Sequence, residues 1–188
     1  MKDKIIIVEG PQGVGKTTFT NYLREKIAAS DLYRLTGIKD KEITGLKKTK
    51  RKYEKLLEYM ENCEDVNMIF DRTFFSEEVY GRLGYKKYSF SEVYKELLNK
   101  LDSLNFDIYL VVLYLKNTEE YEKRIGERNK HEYQKFNLES SIKQQEAYLK
   151  LANEVENETK NIKIIKFDNS NAENYEEKIN NELGFLFK

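Results

Sequence analysis

Residues 4–17, KIIIVEGPQGVGKT, carry the strongest indication of the fold. Residues 4–9 form a nearly unbroken β-branched run, which is typical of a strand buried on both faces of a parallel sheet. Glycines follow at once, and from residue 17 to residue 29 the apolar positions recur at the spacing of an amphipathic helix. The stretch therefore predicts a strand, a glycine-rich loop and a helix, in that order.

The loop itself has the composition of a phosphate site. Residues 10–17 match the pattern G-x-x-x-x-G-K-[ST] at each fixed position. Glycines let consecutive backbone amides point at phosphate oxygens, and the following helix places its positive end on the same spot. Lys16 could bridge a phosphate that is being transferred, and Thr17 could offer its hydroxyl to Mg²⁺. The alternative is a glycine-rich turn that only joins a strand to a helix. The candidate nucleotide-binding residues are Gly10, Gln12, Gly13, Val14, Gly15, Lys16, Thr17 and Thr18.

Composition excludes several classes of protein. The 188 residues suit a single domain, residues 1–188, and 39% hydrophobic with 35% charged residues indicate a soluble chain. The 33 basic residues balance the 33 acidic ones, so no overall field attracts nucleic acid or an anionic membrane. The sequence has no bilayer-spanning apolar run and no secretion signal, so we expect a cytoplasmic protein. Because Cys63 is the only cysteine and His131 the only histidine, a Cys/His zinc site is excluded.

Strand and helix patterns alternate along the rest of the chain. Apolar runs predict further strands at 32–35, 66–70, 107–115 and 162–167. Helical spacing predicts helices at 17–29, 39–62, 73–84, 89–104, from about 117, 137–160 and 174–183. Ser89 and Glu92 have the spacing of a capping box. The alternation predicts a three-layer α/β fold, in which helices cover both faces of a five-stranded, mostly parallel sheet. Such sheets bind ligands at the carboxyl ends of their strands.

Asp71 and Arg72 directly follow the apolar run at 66–70. At the carboxyl end of a buried strand, both side chains are expected beside the phosphates. Asp71 could hold the water shell of Mg²⁺, because this ion prefers few carboxylates and several waters. Arg72 could grip the phosphate of an acceptor with two parallel hydrogen bonds. The alternative is a solvated ion pair at the strand end.

Several segments resemble one group of kinases. Residues 8–18 resemble the (F/I)EGxxGxGK(S/T)T opening that thymidylate kinases and deoxynucleoside kinases share. Residues 71–80 resemble the thymidylate kinase pattern DRxxxSxxAY. The segment with Arg124 and Arg128 is similar to the arginine-rich lid of both families, and residues 167–170 are similar to the loop that these enzymes lay against adenine.

The resemblance implies a P-loop NTPase fold with a helical lid over about residues 124–136. It also implies that ATP with Mg²⁺ is the phosphate donor and that Asn169 contacts the adenine. A homodimer through the helices at 73–104 is a further implication.

The two arginines of the predicted lid also have a physical interpretation. Arg124 and Arg128 are four residues apart, so they lie on one face of a helix. From there they could stabilise the charge that spreads over the phosphate in the transition state. The alternative is an exposed helix face that pairs them with Glu120 or Glu127.

The acceptor of the phosphate can be a nucleoside monophosphate or a nucleoside. A nucleoside hydroxyl needs a carboxylate base near the end of the second strand, whereas a monophosphate needs cations. Arg34 lies near the end of that strand without an adjacent acid, which favours a monophosphate held by Arg34 and Arg72; the resemblance favours dTMP. One alternative is a deoxynucleoside kinase with Asp71 or Glu77 as the base, and another is a non-catalytic ATP-binding protein. The REPGG segment of thymidylate kinases is missing and residues 37–62 match nothing in the family, so the substrate stays open.

Two aromatic residues complete the set of candidates. Phe74 and Tyr80 occupy a position that walls in the acceptor base in the resembling families, with core packing as the alternative. The candidate catalytic residues are Lys16, Asp71, Arg124 and Arg128; the candidate metal ligands are Thr17 and Asp71; the candidate acceptor contacts are Arg34, Arg72, Phe74 and Tyr80.

Overall fold

The computed structural model describes residues 2–37, 42–126 and 137–188. The strands are β1 Lys4–Glu9, β2 Ser30–Arg34, β3 Asn67–Asp71, β4 Asp107–Tyr114 and β5 Ile162–Asp168. The helices are α1 Lys16–Lys26, α2 Ile43–Glu61, α3 Phe74–Arg82, α4 Ser91–Asp102, α5 Glu120–Gly126, α6 Leu138–Glu158 and α7 Tyr175–Leu183, and a 3-10 turn spans Gly184–Phe187. Within these described ranges, no helix has both the length and the apolar character needed to cross a membrane.

The five strands form one sheet in the order β2-β3-β1-β4-β5, and each neighbouring pair is parallel. The central strand is β1, in which Ile5 lies opposite Met68 of β3 on one side and Ile108 of β4 on the other. The predicted sheet is confirmed. Because parallel strands end at the same edge, the loop after β1 and the residues at the end of β3 come together there.

Side chains of β1 alternate between two layers of helices. Ile5 and Ile7 pack in the core beneath α2, α3, α4 and α6, whereas Ile6 and Val8 pack in the core beneath α1, α5 and α7. All four side chains are fully buried, and each such burial contributes about 1.5–3 kcal/mol. The uninterrupted apolar run in the sequence thus corresponds to a strand with no solvent-facing side, and the predicted three-layer arrangement is confirmed.

The capping box predicted from Ser89 and Glu92 is wrong. α4 begins at Ser91, with Phe90 in the capping position and no side-chain cap. Phe90 is buried in the core, so the chain turns at this residue and the helix starts beyond Ser89. A capping box does open α6, where Asn137 Oδ1 accepts from the Ser140 backbone N–H at 2.8 Å.

Candidate active site

The glycine-rich loop between β1 and α1 makes two close approaches to other parts of the fold. Gly10 has a φ of 148°, and a Cβ at this position would stand 2.6 Å from the backbone oxygen of Leu113 in β4. Gly15 has a φ of 95°, and a Cβ there would stand 2.7 Å from Asn169 Nδ2. Only glycine combines these backbone angles with this lack of space. The two glycines therefore fix the loop against β4 and against the segment after β5.

Lys16, the first residue of α1, folds back over the loop. Its Nζ donates to the backbone oxygens of Gly10 at 2.8 Å and Pro11 at 2.7 Å. The side chain is almost fully buried. An ammonium group is thus held inside the loop at the positive end of a helix, an arrangement that favours a phosphate.

Helix α6 holds the other side of the loop. The backbone N–H of Gln12 donates to Gln144 Oε1 at 3.2 Å, and the Ser141 hydroxyl donates to the Gln12 carbonyl at 3.1 Å. Both α6 residues are fully buried. The adjacent Gln145 accepts from the Tyr121 hydroxyl of α5 at 2.6 Å, so α6 also fixes the start of that helix. No pattern in the sequence marks these glutamines, because this residue type is mostly found in contact with water.

Asp71 ends β3 beside the loop. Thr17 Oγ1 donates to Asp71 Oδ2 at 3.3 Å, and Arg34 Nε lies 3.9 Å from the same carboxylate oxygen. The Thr17 hydroxyl and the Asp71 carboxylate fit Mg²⁺, which takes oxygen ligands and keeps several waters. In the described part of the chain, no cluster of three or more His, Cys, Asp or Glu side chains could hold a metal. The other oxygen ligands of an ion bound here would come from water or from a bound nucleotide.

A cavity of about 260 Å³ opens between the loop and the ends of β2 and β3. Its lining includes three cationic side chains, those of Lys16, Arg34 and Arg72. Asp71 is the one carboxylate among the described residues that line it. The excess of positive charge favours an anionic occupant.

Arg72 reaches this cavity from a backbone conformation that is rare for an arginine. Its φ of 73° lies in the left-handed region, which disfavours residues with a side chain. Its guanidinium donates to the Tyr80 hydroxyl, and Cζ lies 5.8 Å from the centre of the Tyr80 ring. Tyr80, an expected acceptor contact, thus contacts Arg72 directly but is not part of the lining of this cavity.

Phe74 lies in the hydrophobic core. Its side chain is 0% exposed, and its ring stacks on Phe75 with the ring centres 4.6 Å apart. The rings of Tyr53 and Tyr94 lie at 6.0 Å on other sides. The expected contact between Phe74 and the acceptor base does not fit this position, because the ring has no surface left for a ligand.

A second cavity, of about 630 Å³, lies on the other side of the loop. Gly13 and Gly15 line both cavities, so the loop is their common wall. Arg124 of α5, Asn169 after β5 and Tyr175 of α7 form much of the remaining lining. Two spaces that share a phosphate-type loop suit a reaction between two bound molecules.

Arg124 and Asn169 meet at the loop residue Val14. The Arg124 guanidinium donates to the backbone oxygens of Val14 at 3.0 Å and Asn169 at 2.9 Å. Asn169 Nδ2 donates to the same Val14 oxygen at 2.6 Å. Arg124 also pairs with Glu120 at 2.7 Å, so the alternative ion pair exists together with the contacts to the loop.

The predicted lid falls mostly outside the described residues. Arg128 belongs to the segment 127–136, which lies outside the described residues. Of the two lid arginines, only Arg124 is placed, and a role for Arg128 stays a prediction.

Glu9, the last residue of β1, is another residue of this region that the sequence analysis did not identify as functional. It is fully buried, and its carboxylate accepts from the Thr73 backbone N–H at 2.6 Å, the Thr73 hydroxyl at 3.2 Å and the Ser76 hydroxyl at 2.6 Å. Burial raises the pKa of Glu9 from 4.5 to about 7. The Ser76 bond, the Arg72 charge, the Thr73 bond and the Lys16 charge oppose this rise without cancelling it.

Comparison with known proteins identifies the fold. No family model and no curated protein sequence matches the chain. Among solved structures, the chain is similar to the YorR protein of Bacillus subtilis in complex with phosphorylated GDP, with 19% identity and a TM-score of 0.65 over 97% of this chain and 94% of that one. It is also similar to deoxyadenosine kinase from M. mycoides with bound dCMP and dCDP, with 18% identity and a TM-score of 0.63 over 97% of this chain and 98% of that one. A third similar structure is thymidylate kinase from Candida albicans, with 15% identity and a TM-score of 0.62 over 100% of this chain and 94% of that one. The predicted P-loop fold of the thymidylate and deoxynucleoside kinase type is thus confirmed.

Proposed function

We propose that the protein transfers the γ-phosphate of ATP to a nucleoside monophosphate, with dTMP as the first candidate. One observation carries the proposal: the phosphate-type loop is the common wall of two cavities, and the smaller one is lined by three cations. ATP takes the larger cavity and the loop, and the phosphate of the acceptor takes the smaller cavity. The similarity to a thymidylate kinase and to a deoxyadenosine kinase with bound dCMP and dCDP supports this assignment.

On the donor side, the base of ATP lies in the larger cavity against the wall that Arg124 and Asn169 form, and its phosphates follow the amides of the loop. Lys16 contacts the phosphate that is transferred, where a fixed cation stabilises the charge of the transition state. Thr17 and Asp71 are the residues that would hold Mg²⁺, which when bound neutralises charge on the phosphates.

On the acceptor side, Arg34 and Arg72 hold the phosphate group that attacks. A monophosphate is already anionic and needs no base, so the work of the protein is to orient it and to offset its charge. Arg72 suits this task, because its guanidinium is supported by Tyr80 and can donate two parallel hydrogen bonds to a phosphate.

The second candidate function is that of a deoxynucleoside kinase. Asp71 favours it, because this carboxylate faces the smaller cavity and could take the proton of a nucleoside hydroxyl. Glu77, the other base considered, is buried in an ion pair with Lys86 at 3.1 Å and does not line the cavity.

Formation of ADP from ATP separates these functions. We would measure it with dTMP, with thymidine, and with the other deoxynucleosides and their monophosphates as acceptors. The proposal expects the highest rate with a monophosphate. A higher rate with a nucleoside would replace it with the second candidate. ADP formation that does not depend on any acceptor would indicate ATP hydrolysis, and no ADP formation with any acceptor would leave only ATP binding.

The variant Arg72→Ala tests the acceptor assignment. Loss of a charged hydrogen bond is expected to raise the KM for the monophosphate by about tenfold or more, while the KM for ATP stays within about twofold. Arg24→Ala is the control, because Arg24 is exposed on α1 away from both cavities. An unchanged acceptor KM in Arg72→Ala would remove Arg72 from the acceptor site.

A further inference from the structure

Glu9 is buried next to the active site but lines neither cavity. Its carboxylate crosses from the end of β1 to the start of α3, where it accepts from the Thr73 backbone N–H and from the Ser76 hydroxyl, each at 2.6 Å. A buried carboxylate is costly unless several donors satisfy it. Among the described residues, Thr73 in the turn after β3 and Ser76 at the start of α3 provide these donors.

This turn contains Arg72 in its left-handed conformation. The Arg72 backbone N–H donates to the Val8 oxygen at 3.1 Å, and the next N–H, that of Thr73, donates to Glu9. Two consecutive residues of β1 therefore hold the peptide groups on both sides of Arg72. A disfavoured backbone conformation persists only where the surroundings determine it in this way.

The hydrogen bonds that hold this turn continue into α6. Ser76 Oγ lies 2.8 Å from the Tyr148 hydroxyl, and both residues are buried. With Ser76 donating to Glu9, the Tyr148 hydroxyl donates to Ser76. The same helix holds the phosphate loop through Gln144, so the turn and the loop are fixed to a common support.

We propose that Glu9 is a positioning residue for Arg72: its carboxylate fixes the turn between β3 and α3 and thereby aims the Arg72 guanidinium at the acceptor phosphate. The inference rests on the proposed function, because it gives Glu9 an effect on the acceptor and none on ATP. Glu9 itself touches no substrate.

The test compares Glu9→Ala and Glu9→Gln with the wild-type protein, using ATP and dTMP or whichever monophosphate gives the highest rate. Glu9→Ala removes the acceptor of the Thr73 N–H, and the KM for the monophosphate is expected to rise by about tenfold, with the KM for ATP within about twofold. Glu9→Gln keeps an oxygen that can accept this bond, so its acceptor KM is expected to stay within about threefold of the wild-type value.

Glu78→Ala is the matched control. Glu78 is a buried glutamate, as Glu9 is, but it lies in α3. Its Oε1 accepts from Arg82 at 2.7 Å and from Ser91 at 3.0 Å, away from the turn. It is expected to lower thermal stability without changing the acceptor KM. If Glu9→Ala does not fold, Ser76→Ala replaces it, because that change removes only one of the bonds to the carboxylate.

Two outcomes would overturn the inference. One is a parallel rise of both KM values, which would mean that Glu9 serves the phosphate loop. The other is an acceptor KM in Glu9→Ala no higher than in Glu78→Ala. Failure of the proposed function is a different result, since the wild-type protein would then show no ADP formation that depends on a monophosphate.

Discussion

The raised pKa of Glu9 predicts how the stability of the protein depends on pH. Burial favours the protonated carboxyl, so the folded protein holds a proton at pH values where the unfolded chain has lost it. The stability that comes from the protonated group is complete below pH 4.5, decreases as the pH rises, and is lost above a pH of about 7. Replacement of Glu9 by glutamine removes this dependence, because the amide does not titrate.

The size of the effect follows from the two pKa values. The shift from 4.5 to about 7, at about 1.36 kcal/mol for each pKa unit, corresponds to about 3.4 kcal/mol of unfolding free energy in total. About 2.5 kcal/mol of this is lost between about pH 5 and about pH 8. Other titrating groups add their own slopes, but these are common to the wild-type protein and to Glu9→Gln. The difference between the two proteins therefore isolates Glu9.

Urea unfolding followed by circular dichroism at several pH values measures this difference. We expect the free energy of unfolding of Glu9→Gln, relative to that of the wild-type protein, to increase by about 2.5 kcal/mol from about pH 5 to about pH 8. Most of this change is expected below pH 7. The structure shows Glu9 shielded from water. If the two stability curves run parallel over this range, Glu9 titrates normally and this burial is contradicted.

Three substitutions test the other side chains of the site. Lys16→Ala should lower kcat by about 10²–10³-fold in the acceptor assay, as loss of one transition-state donor does; a decrease of less than tenfold would contradict the role given to Lys16. Phe74→Ala should cost about 3–5 kcal/mol in urea unfolding because it empties a core position, and a change in acceptor KM with little loss of stability would return Phe74 to the acceptor site. Arg124→Ala should weaken ATP binding in calorimetry by about tenfold, since it removes charged contacts at the larger cavity; unchanged ATP affinity with a lower kcat would favour the phosphate-facing role predicted for the lid.

The sheet and the phosphate loop could be predicted because their signals are local. The run Ile5–Val8 is apolar at each position, and only a strand buried on both faces needs that pattern. The spacing of Gly10, Gly15 and Lys16 is likewise a property of one short segment, since the loop uses its own amides. In these parts of the protein, the conformation is determined mostly by residues that are neighbours in the sequence.

The rest of the site depends on partners far apart in sequence. Phe74 follows Arg72 by two residues, yet its environment is set by Tyr53 and Tyr94 from other helices, so its sequence position could not separate a core ring from a ligand contact. The partners of Glu9 lie more than 60 residues away. Its acidic side chain at the end of a strand also fits a solvated position equally well. The capping box at Ser89 failed for the same reason, because burial of Phe90 overrode a local preference.

The left-handed backbone of Arg72 also bears on how this chain would evolve. An ordinary side chain in that conformation costs about 1–2 kcal/mol, a cost that glycine escapes. Selection for heat resistance alone would therefore be expected to replace Arg72 with glycine or asparagine, at the expense of turnover. Retention of an arginine at this position under such selection would indicate that selection for catalytic activity is stronger than selection for stability.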